Sequence, residues 1–592
     1  MAEWHHLERN ELLAAQQADA MATGDSLTWV AVVRQQPDAD TPIEFDTYRP
    51  GADLVYGNFP YTNALGAVNV AAAAQSGSLL THCNVPAGAA DVRHPAASYD
   101  GKKVAFAMRT SQTDTLDIYE VTLDAAQTCT KVTDGNGKSV NGILLHNTDP
   151  QYAPDGTLVF ASTRGKGGNN PTRSLKFLLP QTDLWRMKPA AGGGYQAPEQ
   201  MTALLGSELS PAMMLNGQMS FTAEKASADF YQLSGRRINW DLTDYHPLLG
   251  QRAQSPGLDG QMHPSVGYQQ VTDIREGLDR NFLIILSDTG AKGGGGTLAT
   301  FNRSIGPFEA DRMDLTFLHS MTILDPAATG RAGATQGAYR SPYPLPDGRI
   351  LVSYAPAVTD LAAATSVRWD VVVLDPVTGA RTNVGPLSGG AQSHLDAIVV
   401  YKREPRTLFD NVQQLIFGGH GSQPDAAHAV LHFPDLPMLG TLLGANLRTG
   451  RFVDQYRPAT QVVVYEDTPP PASGTPQLSG TQMVYQNRMM LGAVPLASDG
   501  SAELRLPSLT PLVFELQDAK GNALFTMSEE DQLGPGEYIS RGVPQKFFNS
   551  VCGGCHGSVD GTELDIDINA DALTGASVSI AHTANSPAPV GP

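Results

Sequence analysis

The residues of this sequence whose types and spacing could do chemistry lie near its C-terminal end. There Cys552-Gly553-Gly554-Cys555-His556 reads C-x-x-C-H. Two thiols at this spacing can add to the two vinyl groups of one porphyrin, which is typical of a c-type haem. The histidine that directly follows the second thiol is then held over the iron as an axial ligand. The motif therefore predicts one covalent haem c, attached through Cys552 and Cys555 and ligated by His556.

Two other interpretations of the motif are a bare C-x-x-C redox pair and half of a zinc site. A zinc site needs a second pair of Cys or His at matching spacing, and the neighbouring sequence has none. A thioredoxin-like pair is expected within a βαβ pattern, whereas this segment is rich in Gly and Asp. Covalent haem is the favoured interpretation, and the other two are its alternatives.

The second axial ligand of the iron decides between electron transfer and the binding of a small molecule. No Met follows the motif, which excludes the small cytochrome c fold with its downstream Met ligand. His582 is the first candidate for a distal ligand and Met527 the second. Weaker candidates are Met489, Met490 and His420. An open or water-bound position is the alternative that we favour.

Other polar clusters carry weaker signals. The acidic stretch from Asp565 to Asp571 resembles the opening of a calcium loop. It lacks the Gly at position six and the Glu at position twelve, so a solvated acidic turn is favoured over calcium. His428 and His432 lie on an expected strand, where four residues span about 13 Å. They cannot share one ion and are interpreted as structural, and no catalytic residue can be assigned.

Length and composition bound the class of protein. A chain of 592 residues with 41% hydrophobic and 17% charged residues predicts a folded protein of two or three domains. Its 40 basic and 60 acidic residues give a net charge of -20, which argues against nucleic acid and favours a basic partner such as a cytochrome. No apolar run approaches the roughly 20 residues of a membrane helix, so no integral membrane segment is expected.

The two remaining cysteines, Cys83 and Cys129, bear on the cellular compartment. Covalent haem is attached outside the cytoplasm, where disulfides persist. We expect a Cys83–Cys129 bridge, with two buried free thiols as the alternative, and a periplasmic or otherwise exported protein. The sequence starts with MAEWHHLERN, which lacks the apolar stretch of an export signal. We therefore expect that a signal peptide is absent from this numbering.

The elements that must position the motif follow a repeating pattern. Each copy has a polar residue and a Pro, then Asp-Gly or Asn-Gly, and then an alternating strand. The copies begin at His94, Asp149, Ser210, His263 (degenerate) and Ser341. Four short antiparallel strands in each 50–60 residues, roughly, predict a propeller blade. Six blades are predicted, and seven is the alternative if the chain between Trp29 and His94 forms a blade of its own.

The predicted fold is all-β. Residues 1–27 are expected to form a helix or arm, and residues 28–440 a β-propeller whose last blade runs to AHAVLHF at Ala427. Residues 441–545 are expected to form a β-rich middle domain, because alternating strands turn at Asp-Gly and Lys-Gly pairs. Residues 546–592 then form the haem-binding segment.

The repeats resemble the propeller repeats of periplasmic Tol-type proteins. A more specific resemblance lies in the order of six motifs over roughly residues 28–580. These are DIYEV, DPQYAPDGTLVFASTR, DGQMHPS, LGAVPLASDGSAELRLPSLTPLVFELQDAKG, LGPGEY and CGGCH. Their order resembles the hydrazine synthase alpha-subunit-like family. The resemblance implies a propeller followed by a middle domain with one c-type haem, which in hydrazine synthase is where nitrogen chemistry takes place.

This sequence departs from that family at the motif. The family has a second haem domain and a tyrosine a few residues beyond the first motif, whereas no Tyr follows Cys555 here and Asp560 lies nearby. His556 is therefore expected to ligate the iron itself. We expect a mono-haem cytochrome with a redox or electron-transfer role, acting on small nitrogen compounds if the haem is open. The alternative is a docking subunit of a larger redox complex, with the haem as a relay. If the chain is an enzyme, the resemblance implies a haem-dependent oxidoreductase.

Overall fold

The computed structural model of the chain describes most of the sequence between residues 24 and 548. The described residues are 14–15, 17–21, 24–35, 41–62, 66–228, 230–249, 254–256, 262–264, 268–277, 281–302, 321–404, 407–409, 421–422, 427–444, 453–527, 529–548 and 588–589. Residues 17–21 are helical, and strands dominate the rest. The all-β prediction is confirmed. Within the described residues no helix is long and apolar enough to cross a membrane.

The first three sheets occupy the region up to Gln200. The first sheet contains β1 (Ser26–Arg34), β2 (Asp53–Pro60) and β3 (Ala74–Ser78). The second contains β4 (Asp91–Ala97), β5 (Lys103–Arg109), β6 (Asp117–Thr122) and β7 (Cys129–Lys131). A hairpin of β8 (Ser139–Val140) and β9 (Ile143–Leu144) follows, and the third sheet contains β10 (Asn147–Tyr152), β11 (Leu158–Ser162), β12 (Asp183–Met187) and β13 (Glu199–Gln200).

The next three sheets continue this order. The fourth contains β14 (Glu208–Met213), β15 (Met219–Ser227), β16 (Phe230–Ile238) and β17 (His246–Leu249), and a hairpin of β18 (Gln254–Pro256) and β19 (Met262–Pro264) follows it. The fifth contains β20 (Gln270–Glu276), β21 (Asn281–Ser287), β22 (Thr297–Asn302) and β23 (Met321–Ile323), and one parallel bridge between Leu233 and Gln270 joins it to the fourth in an eight-stranded sheet. The sixth contains β24 (Ala338–Pro344), β25 (Ile350–Ala355), β26 (Asp370–Leu374) and β27 (Arg381–Asn383). Short 3₁₀ turns lie at Val70–Ala72, Leu79–His82, Lys166–Gly168 and Gly385–Leu387.

The strand β28 (Ser393–Val400) completes the first sheet from the far end of this region. It pairs antiparallel with β1, with Trp29 opposite Val399 and Val33 opposite His394. The inner strands β28, β4, β10, β14, β20 and β24 contact one another in that order, and β24 in turn contacts β28. This strand order is that of a six-bladed β-propeller in which the first and last strands share a blade. The early strand at Trp29 thus belongs to the first of six blades.

Each inner strand carries one β-bulge at the same level. The bulge residues are His94, Asp149, Ser210, Asp273, Ser341 and Asp396, and φ lies between 49° and 52° at all six. Pro follows four of them, namely at Pro95, Pro150, Pro211 and Pro342. The polar residue before Pro in the sequence repeat is therefore a bulge position, where an extra residue re-aims side chains. All six side chains line one central channel, and we name them the bulge ring.

The fifth blade differs from the sequence expectation. The copy that was predicted to begin at His263 lies in β19, which pairs with β18 instead of with β21. The inner strand of this blade is β20, and its bulge residue is Asp273. The reason is that Asp273 is followed by Ile274, so the blade has a bulge without the Pro that marked four of the others.

The middle domain is a sandwich of two sheets. Its elements are β29 (Gly421–Ser422), β30 (His428–Phe433), α1 (Leu436–Gly444), a 3₁₀ turn (Val453–Gln455), β31 (Ala459–Asp467), β32 (Leu478–Ser479), β33 (Val484–Tyr485), β34 (Arg488–Pro495), β35 (Ala502–Pro507), β36 (Leu512–Asp518), β37 (Ala523–Thr526), β38 (Glu537–Ser540), α2 (Gln545–Phe547) and β39 (Ala588–Pro589). One sheet has the order β29-β38-β30-β35-β39, and the other has the order β34-β31-β36-β37. Phe433 meets Phe514 edge-on between them, with ring centroids 5.6 Å apart.

The boundary between the two domains lies earlier than the sequence suggested. The strand AHAVLHF was expected to end the last blade, but β30 pairs with β35 and β38 of the middle domain. The last propeller strand is β28, which ends at Val400. An alternating strand pattern shows that one face is buried but does not identify the neighbouring strand, which explains the difference.

The two domains meet at a loop that contains the LGPGEY motif. Gln532 accepts a hydrogen bond from the Ala203 backbone N–H at 2.8 Å, and Glu537 accepts one from the Asp244 N–H at 2.9 Å. A Cβ atom at Gly534 would lie 2.2 Å from the carbonyl oxygen of Leu242, so only glycine fits here. The loop thereby fixes the middle domain against the third and fourth blades.

Candidate functional site

The residues of the predicted haem motif lie outside the described residues. This applies to Cys552, Cys555, His556 and His582, and also to His420 and the acidic stretch from Asp565. What the structure shows is the segment that leads into the motif, which runs from β38 through α2 to Phe548. We name residues 537–548 the root segment. Its geometry determines where the chain enters the motif.

The first anchor of the root segment is the central position of β38. This strand pairs in parallel with β30, with Tyr538 opposite Val430 and Ser540 opposite His432. It also pairs with β29 on its other side. A strand between two neighbours has its backbone groups bonded on both edges, so it is held firmly. The root segment therefore starts from the interior of a sheet.

The second anchor is a buried carboxylate, Asp435, which precedes α1. Arg457 donates to both of its oxygens, at 2.9 and 3.0 Å, and the Met438 N–H donates to it at 3.0 Å. The backbone N–H of Gln545 in α2 also donates to Asp435, at 3.3 Å, while Arg457 donates to the side chain of Gln545 at 2.8 Å. This bidentate, charge-assisted pair ties α2 to α1. The chain is thus fixed seven residues before Cys552 by groups on three elements.

An apolar cluster closes the root segment. Phe548 is 3% exposed and packs with Met438 and Val453. Leu442 and Val543 extend the cluster. The side chains of this cluster cover one another, so they hold the end of the root segment against α1. The residues that would hold the predicted haem, Cys552, Cys555 and His556, lie outside the described residues.

The described candidates for a distal ligand lie in different environments. Met527 is half-buried against the core of the middle domain, and its backbone N–H donates to the Phe514 carbonyl at 3.0 Å. Met489 and Met490, on the edge strand β34, are 50% and 57% exposed. These two lie on the surface of the described structure, whereas Met527 packs as a core residue.

The two histidines of β30 have separate partners. A guanidinium nitrogen of Arg505 lies 3.0 Å from Nδ1 of His428, and Nδ1 of His432 lies 3.1 Å from the Ser540 hydroxyl. Burial lowers the pKa of His432, which is therefore neutral at pH 7. Its Nε2 is enclosed and has no hydrogen-bond partner among the described residues. Within the described part of the chain, no group of three or more Asp, Glu, His or Cys side chains is placed to hold a metal ion.

Cys83 and Cys129 are joined to each other. Their sulfur atoms are 2.09 Å apart and their Cα atoms 5.0 Å apart. The bridge links the turn after β3 to β7, and so connects the first blade to the second. The sequence has four cysteines, and the two that are not in this disulfide are Cys552 and Cys555 of the motif.

Sequence reasoning did not find a second polar site, which lies in the propeller channel. The bulge ring forms its floor, and arginines from several blades surround it on one side. The polar residue before each Pro in the repeat was a signal for the ring. Arg93 and Arg340 directly precede the bulge residues His94 and Ser341, but the sequence does not show that Arg34 and Arg49 lie near them.

The described architecture defines a class of protein: a six-bladed β-propeller joined to a β-sandwich whose last strands lead into a C-x-x-C-H motif. Residues 457–556 match the family model described as the hydrazine synthase alpha subunit middle domain. The match begins at Arg457, the partner of Asp435, and ends on His556. The chain is therefore related to the hydrazine synthase alpha-subunit-like family, as the resemblance in its sequence indicated.

Two comparisons, both with hydrazine synthase of Kuenenia stuttgartiensis, support this relationship. Hydrazine synthase subunit alpha from Kuenenia stuttgartiensis is 30% identical over 161 residues, which is 26% of this chain and 17% of that protein. The solved structure of Kuenenia stuttgartiensis hydrazine synthase matches 95% of this chain and 73% of its own, with a TM-score of 0.63 and 15% identity. At that identity the structural match establishes a shared fold. The sequence match spans only 17% of the length of the relative.

Proposed function

We propose that this chain is an exported mono-haem c-type cytochrome, in which the propeller is the scaffold and the haem serves a redox or electron-transfer role. Haem c supplies one-electron chemistry and, where one axial position is open, a site for a small molecule. By analogy with the hydrazine synthase to which the chain is similar, small nitrogen compounds are the ligands that we propose for an open site.

The observation that carries this proposal is the coincidence of the family match with the cysteines. The match to the middle domain ends on His556, the last residue of the C-x-x-C-H motif. The other two cysteines are bonded to each other, which leaves Cys552 and Cys555 as the thiols for attachment. The disulfide also supports an exported protein, because such bridges persist in oxidising compartments.

The residues of the chain have a positioning role in this function. Asp435 and Arg457 hold α2, and Phe548 is packed against Met438 and Val453, so the root segment that precedes the motif is held in place. A group that is held on rigid elements needs less reorganisation when it exchanges an electron or binds a ligand. His556 is proposed as the proximal ligand, and His582 or an open position lies opposite, with Met527 disfavoured by its packing in the core.

Haem staining after denaturation tests the attachment. The protein is produced in a compartment that attaches haem c, and the variant Cys552→Ala with Cys555→Ala is compared with wild type. Wild type should retain stain in a denaturing gel, because a thioether bond survives unfolding, and the double variant should lose it completely. The matched control is Cys83→Ser with Cys129→Ser, which removes two cysteines elsewhere and should still stain. Stain that persists in the Cys552 and Cys555 variant would refute the proposal.

A second function, a docking subunit with the haem as a relay, is favoured by one observation. The junction between the propeller and the middle domain is buried, and the whole chain has a net charge of -20. This negative charge suits a basic cytochrome as partner in a larger complex. The spectrum of the reduced protein with carbon monoxide separates the two functions. A rapid shift indicates an open iron and supports small-molecule chemistry. An unchanged spectrum indicates two protein ligands and supports a relay.

A further inference from the structure

A cavity of about 80 Å³ lies in the propeller channel, above the bulge ring. It is on the side where the inner strands begin, and the connection between β1 and β2 passes over it. Charged side chains of both signs line it, namely Arg34, Arg49, Arg93, Arg340, Glu44, Asp149, Asp273 and Asp396. A cavity of this size accommodates on the order of five waters or one small polyatomic ion.

Residues 41–49 of the β1–β2 connection form a fixed cover for this cavity, which we name the cover segment. The hydroxyl of Tyr48 donates to the Ala89 carbonyl at 2.6 Å, and Arg93 donates to the Thr47 carbonyl at 2.8 Å. The Asp46 carboxylate lies 2.9 Å from Nε2 of the buried His146. Because several blades hold it, the cover segment limits the access of bulk water to the charges beneath.

Most of the charges around the cavity have partners within the protein. Arg93 donates to both oxygens of Asp91, at 3.1 and 3.0 Å. Arg340 donates to the Gly293 carbonyl at 2.8 Å and lies 3.5 Å from Asp396. Asp396 also accepts from the Ser341 hydroxyl at 2.8 Å. These groups are satisfied as they stand.

Arg34, at the end of β1, is different. Its residue is 7% exposed, and its Nε is enclosed without a hydrogen-bond partner among the described residues. Burial, reinforced by the charges of Arg93 and Arg340, lowers the pKa of Arg34 to about 9. The guanidinium is still charged at pH 7, and Asp396 and Asp91 attract it, but no carboxylate among the described residues forms an ion pair with it. A buried charge without a partner is costly, which indicates that something else supplies the partner.

The carboxylates of the bulge ring do not fill that role. Asp149 pairs with His94, and it accepts from the Ser210 backbone N–H at 2.8 Å. Asp273 accepts from the Ser341 N–H at 3.0 Å, and burial raises its pKa. For Asp396, burial alone would raise the pKa, but Arg340, His94 and Arg34 outweigh it and lower the pKa. Asp149 and Asp273 therefore serve other partners, and Asp396 attracts Arg34 without a hydrogen bond to it among the described residues.

We propose that the propeller channel binds a small carboxylate or oxyanion, held by the guanidinium of Arg34 beneath the cover segment with Arg340 beside it. A guanidinium presents a planar fork of N–H donors that matches a carboxylate or a tetrahedral oxyanion. The anion supplies the missing partner of Arg34, and the enclosed site strengthens that contact. This site shares no residue with the haem motif and goes beyond the proposed redox function.

Calorimetric titration of the full-length protein tests the site, with sulfate in one arm and acetate in the other at constant ionic strength balanced with chloride. Wild type should bind at least one of them at a single saturable site. A preference for sulfate indicates a tetrahedral oxyanion, and a preference for acetate indicates a carboxylate. Arg34→Met should weaken binding by roughly tenfold or more, because it removes a charge-assisted contact. The variant Cys552→Ala with Cys555→Ala should bind as wild type does, which separates this test from that of the haem.

The matched control is Arg186→Met. Arg186 is 5% exposed, donates to Glu199 at 2.8 Å and lies on β12 of the third blade, so its loss should leave anion affinity unchanged. If Arg34→Met does not fold, Asp273→Asn decides, because it removes a negative charge from the cavity and keeps an acceptor for Ser341. It should bind the anion several-fold more tightly at pH 8. Equal affinity in wild type and Arg34→Met, weaker binding by Asp273→Asn, or no saturable binding by wild type would overturn the proposal.

Discussion

Two ionisable side chains at the junction between the propeller and the middle domain, those of Lys225 and Glu530, have polar atoms that are enclosed by protein. Lys225 is 3% exposed, and its Nζ has no hydrogen-bond partner among the described residues although it lies 5.1 Å from the ring centroid of Tyr245. Glu530 accepts from the Leu205 N–H at 3.0 Å. Burial, with Asp467 as a further cause, raises the pKa of Glu530 to about 7. The pKa of this junction carboxylate therefore lies close to neutral pH.

The pH dependence of stability follows from that shift. A glutamate with a pKa of about 7 in the folded state and about 4.5 in the unfolded state binds more protons when folded. Its contribution to stability is thus greatest below about pH 4.5 and is lost as pH rises through about 7. Glu530→Gln keeps an acceptor for Leu205 and should raise the thermal midpoint at pH 8 by a few degrees while leaving it nearly unchanged at pH 5. Thermal unfolding at both pH values measures this, and a midpoint at pH 8 equal to that of wild type would contradict it.

At the scale of elements, the blades are joined by different means. The first blade is completed by β28, so its integrity depends on strands from both ends of the propeller. The first and second blades are also linked covalently by Cys83–Cys129, with a sequence separation of 46 residues. The fourth and fifth blades share a parallel contact at Leu233 and Gln270. Neighbouring blades thus stabilise one another in addition to their own hydrogen bonds.

Removal of the disulfide should destabilise the propeller. In the chain-entropy model, a bridge of this separation contributes about 4 kcal/mol, which is an upper value because the unfolded chain retains structure. The variant Cys83→Ser with Cys129→Ser should unfold at lower denaturant concentration, as circular dichroism would show. Wild type treated with a reductant should behave like the variant, and the variant itself should not respond to the reductant. An unchanged midpoint in both comparisons would show that the bridge contributes nothing.

At the scale of the whole molecule, the propeller and middle domain are joined through the loop at 529–537. Arg236 of the fourth blade forms an ion pair with Glu529, and Gln532 and Glu537 accept backbone hydrogen bonds from the propeller. The same stretch leads directly into β38 and the root segment. Any displacement of this loop therefore moves the root segment relative to the propeller.

Gly534→Ala should loosen this junction. Its Cβ would lie 2.2 Å from the Leu242 carbonyl oxygen, a backbone atom that cannot move without shifting the strand it follows. We expect wild type to unfold in one calorimetric transition, and the variant in two, with the first at lower temperature. Gly385→Ala is the control, because nothing lies within 4 Å of its added Cβ. A single, unshifted transition in Gly534→Ala would show that the loop does not couple the domains.

The sequence determined the features that have local causes. The repeat of a polar residue followed by Pro marked the bulges at His94, Asp149, Ser210 and Ser341. This mark is local, because the fixed φ of proline and its missing N–H act on neighbouring residues. The prediction of six blades rested on five such copies and on a last blade that ran to AHAVLHF, and the structure moves both the degenerate copy and the end of the last blade. The bulge at Asp273 was not found in the sequence because no Pro follows it. The interpretation of the C-x-x-C-H motif as a haem attachment site stays a prediction.

The tertiary structure decided which strands and charges meet. The pattern of β30 showed a strand, but only its pairing with β35 and β38 placed it in the middle domain, because alternation fixes a face and not a partner. The charge of Arg34 is evident in the sequence, but its burial beside Arg340 depends on closure between the first and last blades. Whether a charged group is solvated or enclosed is set by its non-local neighbours, which no spacing along the chain specifies.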